Sequence, residues 1–227
     1  AGTPATGLDL AGKTLTLADG RRLPWDKLLL ATGGTPYVPR IEGLAREGVF
    51  TFTTLADAQR LAERVAGARR AVVIGGGLIG VSVSEALAKR QIAVTIVELK
   101  ERILNMILDE EASLLAESAV RRAGIEVLTG CTVASVVGRP QNGGAVVSVF
   151  LDSGREIPCD LLVVAIGVVP RVELARAAGL AVNRGIVVDD RMATSAPDVY
   201  ACGDAVEAHD FALGAARPTP IWPNAYI

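Results

Sequence analysis

Runs of consecutive apolar residues alternate with stretches of helical periodicity along most of this chain. AVVI (Ala71–Ile74), VTIVE (Val94–Glu98) and LLVVA (Leu161–Ala165) carry apolar residues at successive positions, as strands buried on both faces do. Thr54–Val65, Leu78–Arg90 and Asp109–Ala123 show the spacing of helices, the last closed by Gly124 before a strand resumes at Ile125–Leu128. Shorter apolar runs predict strands at Lys27–Ala31, Val133–Val137, Ala145–Leu151, Ile186–Val188 and Val199–Ala201, and a short helix at Val172–Ala178. Thr14–Leu17 and Arg21–Leu23 flank Asp19-Gly20, a hairpin signal. Gln141-Asn142-Gly143-Gly144 and Asp152-Ser153-Gly154 read as turns, and Pro36 and Pro39 enforce an extended passage.

The alternation of strand and helix predicts an α/β fold: a parallel sheet with helices on both sides, followed by a small antiparallel excursion. There is one internal echo. LLLATGGTPYVP (Leu28–Pro39) and LVVAIGVVPRVE (Leu162–Glu173) share an apolar strand, a glycine and a proline. They read either as two crossovers between similar domains or as a coincidence of strand ends.

With 227 residues, half of them hydrophobic, the chain can build one large core or two modest ones. A net charge of -2 and the lack of a basic cluster with interleaved aromatics argue against nucleic acid as a partner. No apolar run approaches the roughly 20 residues that span a bilayer. Cys131, Cys159 and Cys202 are widely spaced and form no CxxC or zinc pattern. Each sits in an apolar context and reads as a buried free thiol, so a soluble protein of a reducing compartment, the cytoplasm, is expected. The start at Ala1 amid turn residues and the end at Tyr226-Ile227 without a terminal helix read as a chain truncated at both ends.

The most specific stretch is VVIGGGLIG. Gly75, Gly77 and Gly80 satisfy G-x-G-x-x-G, with Leu78 and Ile79 between the last two, after a strand and at the opening of a helix. Glu98 ends the next strand about 20 residues on. Gly75 permits a tight turn, Gly77 leaves no Cβ between backbone and a pyrophosphate, and Gly80 lets the helix approach the sheet. The unpaired N–H groups of the helix start face the negative charge. Glu98 can accept hydrogen bonds from adenosine ribose hydroxyls and would repel a 2′-phosphate, which favours NADH over NADPH. Lys100 and Arg102 read as solvated charges at a helix start, or as cations able to swing back to a phosphate. Asp204, after Gly203 at the end of a short strand, reads two ways: as a carboxylate holding a polyol hydroxyl, or as the cap of a helix beginning near Ala205. His209, the only histidine, reads as a surface or packing residue on a helix start.

Together these segments resemble the FAD-dependent pyridine nucleotide–disulfide oxidoreductase superfamily, in particular its NADH:acceptor branch of rubredoxin, ferredoxin and nitrite reductases. The resemblance runs from about Leu28 to Asn224. It is carried by ATGG (Ala31–Gly34), GGGLIG (Gly75–Gly80), AIGVVP (Ala165–Pro170) and ATSAPDVYACGDA (Ala193–Ala205). It implies a Rossmann-like NAD-binding domain, Leu44–Val169, inserted in a partial FAD-binding domain made of Ala1–Gly43 and Pro170–Ile227, three-layered with a small antiparallel β excursion. Ala31, Thr32 and Gly33 match the crossover near the FAD phosphates or adenosine. Asp204, with Gly203 before it, matches the aspartate at the ribityl and pyrophosphate region. Gly167 matches a glycine on the nicotinamide side, and His209 to Tyr226, including Trp222-Pro223-Asn224-Ala225, falls where relatives approach the isoalloxazine.

The resemblance also exposes departures. Relatives begin with a βαβ unit carrying its own glycine motif for FAD and end in a further domain, neither of which is in view. Ser82 stands where many relatives have a glutamate near the nicotinamide, and a redox CxxC of the thioredoxin reductase type is absent. The expected function is transfer of a hydride from NADH to FAD, with electrons passed to an acceptor such as a small redox protein. No residue of this chain is expected to act as an acid, a base or a metal ligand. The competing reading is a non-catalytic module that binds NADH but lacks a complete FAD site.

Overall fold

A computed structural model describes residues 2–139, 144–211 and 214–218. The chain divides into two compact units, one formed by Pro36–Gly167 and the other by Ala1–Thr35 with Val168–Ile227. The sequence reading places the corresponding division at Leu44–Val169.

The Pro36–Gly167 unit is built on five parallel strands in the order Val49–Thr51, Leu161–Val164, Arg70–Ile74, Ala93–Glu98 and Glu126–Thr129. Successive side chains of a strand face opposite sides, so one apolar run feeds two cores. On one face Ala71, Val73, Ile96, Leu161 and Val163 pack with Leu61 of helix α1 (Leu55–Val65) and with Val83 and Leu87 of helix α2 (Leu78–Ala88). Val120 of helix α3 (Glu110–Arg122) joins the same side. On the other face Val72, Ile74, Val97, Leu162 and Val164 meet Val133, Val149, Leu151 and Ile157. Those belong to an antiparallel sheet of Val133–Gly138, Val146–Leu151 and Glu156–Pro158. The expectation of helices on both faces is therefore corrected: the antiparallel excursion is itself the third layer. It fits because Val133, Val136, Val149 and Leu151 give it an apolar side of its own. Residues 140–143, most of the turn expected at Gln141-Asn142-Gly143-Gly144, lie outside the described residues.

Helix ends follow their sequence signals. Thr54 and Asp57 form a capping box at α1: the Asp57 N–H donates to Thr54 Oγ1 at 3.1 Å, and the Thr54 N–H donates to Asp57 Oδ2 at 3.0 Å. Burial pushes the Asp57 carboxyl up, but hydrogen bonds from Thr53 and Thr54 outweigh it and hold the group below its ordinary range. Asp109 caps α3 through the Ala112 N–H at 2.9 Å, and Arg121 and Arg122 occupy its last turn. Helix α2 has neither device: its N-cap is Gly77, and its first turn holds no acid.

In the other unit Leu28–Leu30 and Val199–Ala201 pair in parallel. Leu30, Val199 and Ala201 share a core with Val172, Ala175, Leu180 and Ile186. The hairpin at Asp19-Gly20 forms with Leu15 opposite Leu23. The segment before it, expected to be turn, adds a third strand, Ala5–Asp9, paired to Thr14–Leu17. The two halves of the sequence echo meet: Gly34–Pro36 pairs with Val168–Pro170. Cys159 is buried, and burial pushes its thiol up to about 12, which leaves it inert. Cys131 and Cys202 are only half-buried, a correction, since neither strand end closes fully over the thiol.

No helix begins near Ala205. Gly203–Ala205 is a single 3-10 turn, and Val206–Asp210 continues as a strand between Ile186–Val187 and Ala215–Arg217. His209 accordingly lies on a strand, exposed, edge-on to Phe211 at 5.1 Å. The deciding residue is Glu207. Its buried carboxylate accepts from Asn183 Nδ2 at 2.9 Å and from the Arg184 and Gly185 N–H groups at 2.8 and 3.0 Å, bonds that tie the strand to the Asn183–Gly185 turn. Burial opposes the charge, but these donors prevail and hold the carboxyl below its ordinary range.

A carboxyl depressed in the folded state contributes stability above its unfolded value and loses it as the pH falls through the folded one. Glu207→Gln cannot accept all three donors and leaves at least one buried N–H unpaired. A loss of about 1–3 kcal/mol is expected at pH 7. Thermal melts should show the gap between wild type and variant narrowing as the solution is taken below pH 4, and a constant gap would contradict this.

Candidate functional site

The carboxyl ends of the parallel strands carry the glycine-rich turn. Gly75 follows the Arg70–Ile74 strand with φ of 105°, a backbone that favours glycine, and a Cβ there would lie 2.5 Å from the Ala165 carbonyl oxygen. A Cβ on Gly80 would overlap the carbonyl oxygen of Gly75. The third glycine of the motif therefore clears the loop beneath it more than the sheet. Gly76 is buried, with the side chains of Ile103 and Glu98 against it. Gly77 is different: its Cβ direction is open, with nothing within 4 Å, and its φ of -78° suits any residue.

That opening coincides with the start of α2. Among the described residues, the N–H groups of Gly77, Leu78, Ile79 and Gly80 have no partner, whereas α1 and α3 are capped by side chains. Glu98 ends the neighbouring strand, half-buried. Its Oε2 accepts the Gly76 N–H at 2.6 Å and its Oε1 the Lys100 N–H at 2.8 Å. On the opposite side the Leu161–Val164 strand runs into Ala165 and then Gly167, whose φ is 108° and whose carbonyl accepts the Tyr37 N–H at 3.0 Å. The structure thus gathers Gly75, Gly77, Leu78, Ile79, Gly80 and Glu98 around one loop, with Gly167 at the end of the adjacent strand. Uncapped amides, an open approach at Gly77 and a carboxylate at the rim suit a pyrophosphate flanked by a sugar.

Lys100 is exposed. Arg102 is not at a helix start, because α3 begins only at Glu110. Its Nε is buried without a partner among the described residues. Ser82 is exposed on α2. Gly76 and Ile103 went unmarked in the sequence reading; the one signal for them is the extra glycine inside GGGLIG, which the motif itself does not require.

In the other unit, Ala31-Thr32-Gly33 and Cys202-Gly203-Asp204 leave the carboxyl ends of the paired strands Leu28–Leu30 and Val199–Ala201 side by side. Such ends are where open α/β sheets bind ligands. The Thr32 hydroxyl donates to the Arg171 carbonyl at 2.7 Å, and the Arg171 N–H donates to Gly33 at 2.9 Å. Gly33 and Gly203 have φ of 66° and 73° and nothing within 4 Å in their Cβ direction. Asp204 is exposed, and its carboxylate makes no hydrogen bond among the described residues, so it fits a polyol hydroxyl. Trp222, Pro223, Asn224 and Ala225 lie outside the described residues.

Residues 1–225 match the family model described as pyridine nucleotide-disulphide oxidoreductase. The chain is 38% identical over 214 residues to the epsilon subunit of an NADH-dependent phenylglyoxylate dehydrogenase from Aromatoleum evansii, covering 94% of this chain and 50% of that protein. It is 35% identical over 208 residues to a rubredoxin-NAD(+) reductase from Ectopseudomonas oleovorans, covering 92% and 53%. A solved ferredoxin reductase from Rhodopseudomonas palustris superposes with a TM-score of 0.91 at 30% identity, over 97% of this chain and 54% of that one. The chain spans about half the length of these relatives.

The glycines separate by experiment. Gly80→Ala forces a methyl into the Gly75 carbonyl and should destabilise by about 1–3 kcal/mol or more. Gly77→Ala adds its methyl to open space and should cost less, about 1 kcal/mol at most, the penalty of alanine against glycine at a helix N-cap. Calorimetry of the two variants checks this ordering, and the reverse order would refute it.

Proposed function

The chain belongs to the pyridine nucleotide-disulphide oxidoreductase family, and from that premise we propose that it is the dinucleotide-binding part of an FAD-dependent NAD(P)H oxidoreductase. The observation that carries the reading is the bare amino end of α2 at Gly77, open where the other long helices are capped. The Pro36–Gly167 unit is read as a Rossmann-type NAD-binding domain. The unit of Ala1–Thr35 and Val168–Ile227 is read as part of an FAD-binding domain.

Each side chain then has a task. Gly75 and Gly80 let strand, loop and helix close on one another. The N–H groups of Gly77, Leu78, Ile79 and Gly80 hold the dinucleotide pyrophosphate. Glu98 keeps acceptor capacity beyond its two backbone donors, enough for the ribose hydroxyls, and its charge disfavours a 2′-phosphate, which selects NADH. Gly167 borders the nicotinamide. Ala31, Thr32, Gly33, Gly203 and Asp204 serve FAD, the glycines by bare backbone and Asp204 by accepting polyol hydroxyls. When bound, NADH supplies the hydride and FAD takes it and releases electrons singly or in pairs. The protein's part is to bind and orient.

The electrons are read as leaving for a small redox protein, a class to which the names of a rubredoxin-NAD(+) reductase and a ferredoxin reductase among the relatives point. A cytoplasmic location is supported by three cysteines that are all free. Among the described residues, no helix is long and apolar enough to cross a membrane.

The complete protein is expected to be yellow and to reduce an artificial dye with NADH; a colourless protein inert to NADH would overturn the reading. Gly77→Ala should raise the NADH dissociation constant about tenfold or more, which corresponds to about 1.4 kcal/mol. Glu98→Ala should narrow the preference for NADH over NADPH, measured as the ratio of kcat/KM values. An unchanged ratio would remove Glu98 from cofactor selection.

A further inference from the structure

The glycine loop is held from behind by the segment that follows Glu98. Gly75 is fixed through its N–H, which donates to the Val97 carbonyl at 2.8 Å. Gly76 is fixed at both ends: its N–H donates to Glu98 Oε2 at 2.6 Å, and its carbonyl accepts the Leu104 N–H at 2.8 Å. Only at Gly77 does the loop present an N–H without a partner among the described residues. The peptide that joins Gly76 to Gly77 therefore takes its orientation from Leu104, and the peptide before it from Glu98.

The brace is itself rigid. Leu104 has a φ of 54°, a left-handed backbone that a leucine adopts only where its surroundings enforce it. Its carbonyl accepts the Ile107 and Leu108 N–H groups at 3.0 Å each, and Asn105 Nδ2 donates to the Arg102 carbonyl at 2.9 Å. Ile103 is fully buried in the core shared with Val73 and Ile96. A Cβ on Gly76 would stand 2.6 Å from Ile103 Cγ2 and 3.1 Å from Ile103 Cβ. That methyl branches directly from a buried Cβ and has little freedom to yield.

We propose that Ile103 and Leu104 are positioning residues for the dinucleotide: they aim the Gly76–Gly77 peptide, and Gly76 is glycine to admit the Ile103 methyl rather than the ligand. The inference takes its ligand from the dinucleotide reading above. Any methyl added at Gly76 displaces the loop, because Ile103 cannot retreat into a packed core. Ile103→Leu removes the branch at Cβ while conserving volume, which relieves the closest contact and leaves those to the Cβ atoms of residue 103 at 3.1 Å and Glu98 at 3.3 Å.

The test is a double-mutant cycle in the full chain with Gly76→Ala, Ile103→Leu and both together. NADH affinity is read by titration, and the amide shift of Gly77 is read by NMR without nucleotide. Gly76→Ala should weaken NADH about tenfold and move the Gly77 signal, Ile103→Leu alone should weaken it less than about threefold, and the double variant should bind NADH more tightly than Gly76→Ala and bring the Gly77 signal back toward wild type. If Gly76→Ala does not fold, recovery of folding and of NADH binding in the double variant supports the proposal. Wild-type affinity in a folded Gly76→Ala, or a double variant no better than the single one, overturns it. A wild-type chain that does not bind NADH sinks the dinucleotide reading instead, and leaves the amide-shift cycle to judge the brace.

Discussion

The Pro36–Gly167 unit depends on one steric condition: nothing may stand between Gly80 and the carbonyl of Gly75. The Arg70–Ile74 strand is the centre of the parallel sheet, and the helix after it covers that sheet's core. The turn between them is so tight that a single methyl at Gly80 would occupy the place of the loop's own carbonyl oxygen. The residue at the cap position is Gly77, which has no side chain to offer, so the helix begins with its amides bare. The close contact at Gly80 sets the turn, and the glycine at Gly77 leaves the amides open.

Carboxylates supply the complementary device. Asp57, Glu98 and Glu207 each accept backbone N–H groups from a neighbouring turn. Asp57 and Glu207 are buried and work only in structure. Glu98 is half-buried at the rim of the loop, and its two backbone donors leave it acceptor capacity to spare. The three carboxylates share one bonding pattern and differ in exposure.

Elements whose signals are local were legible. The helices that open near Thr54 and Asp109, the hairpin at Asp19-Gly20 and the strand–glycine–helix sequence around Gly75 each state their geometry within a few residues. What escaped depends on distant partners. Ala5–Asp9 is a strand because Thr14–Leu17 offers it an edge. Val206–Asp210 is a strand because Ile186–Val187 and Ala215–Arg217 flank it and Glu207 finds its donors in the Asn183–Gly185 turn. The covering of the sheet's second face by strands could not be read from periodicity, since a run buried on both sides looks the same under helix or sheet. At the site, the motif fixed which glycines matter for turning. The reason for Gly76 lay in Ile103, far enough along the chain to belong to no motif.

The paired strands Gly34–Pro36 and Val168–Pro170 mark where the chain passes from one unit to the other and back, and the Tyr37 N–H meets the Gly167 carbonyl at 3.0 Å. The 36–167 stretch thus begins and ends at one spot. On the ribosome its last residue emerges while the unit that flanks it in sequence still lacks Val199–Ala201, the partner of Leu28–Leu30. Vectorial synthesis therefore makes the flanking unit wait for the inserted one, and a genetic exchange cut at these two adjacent points would swap the inserted unit as an intact cassette.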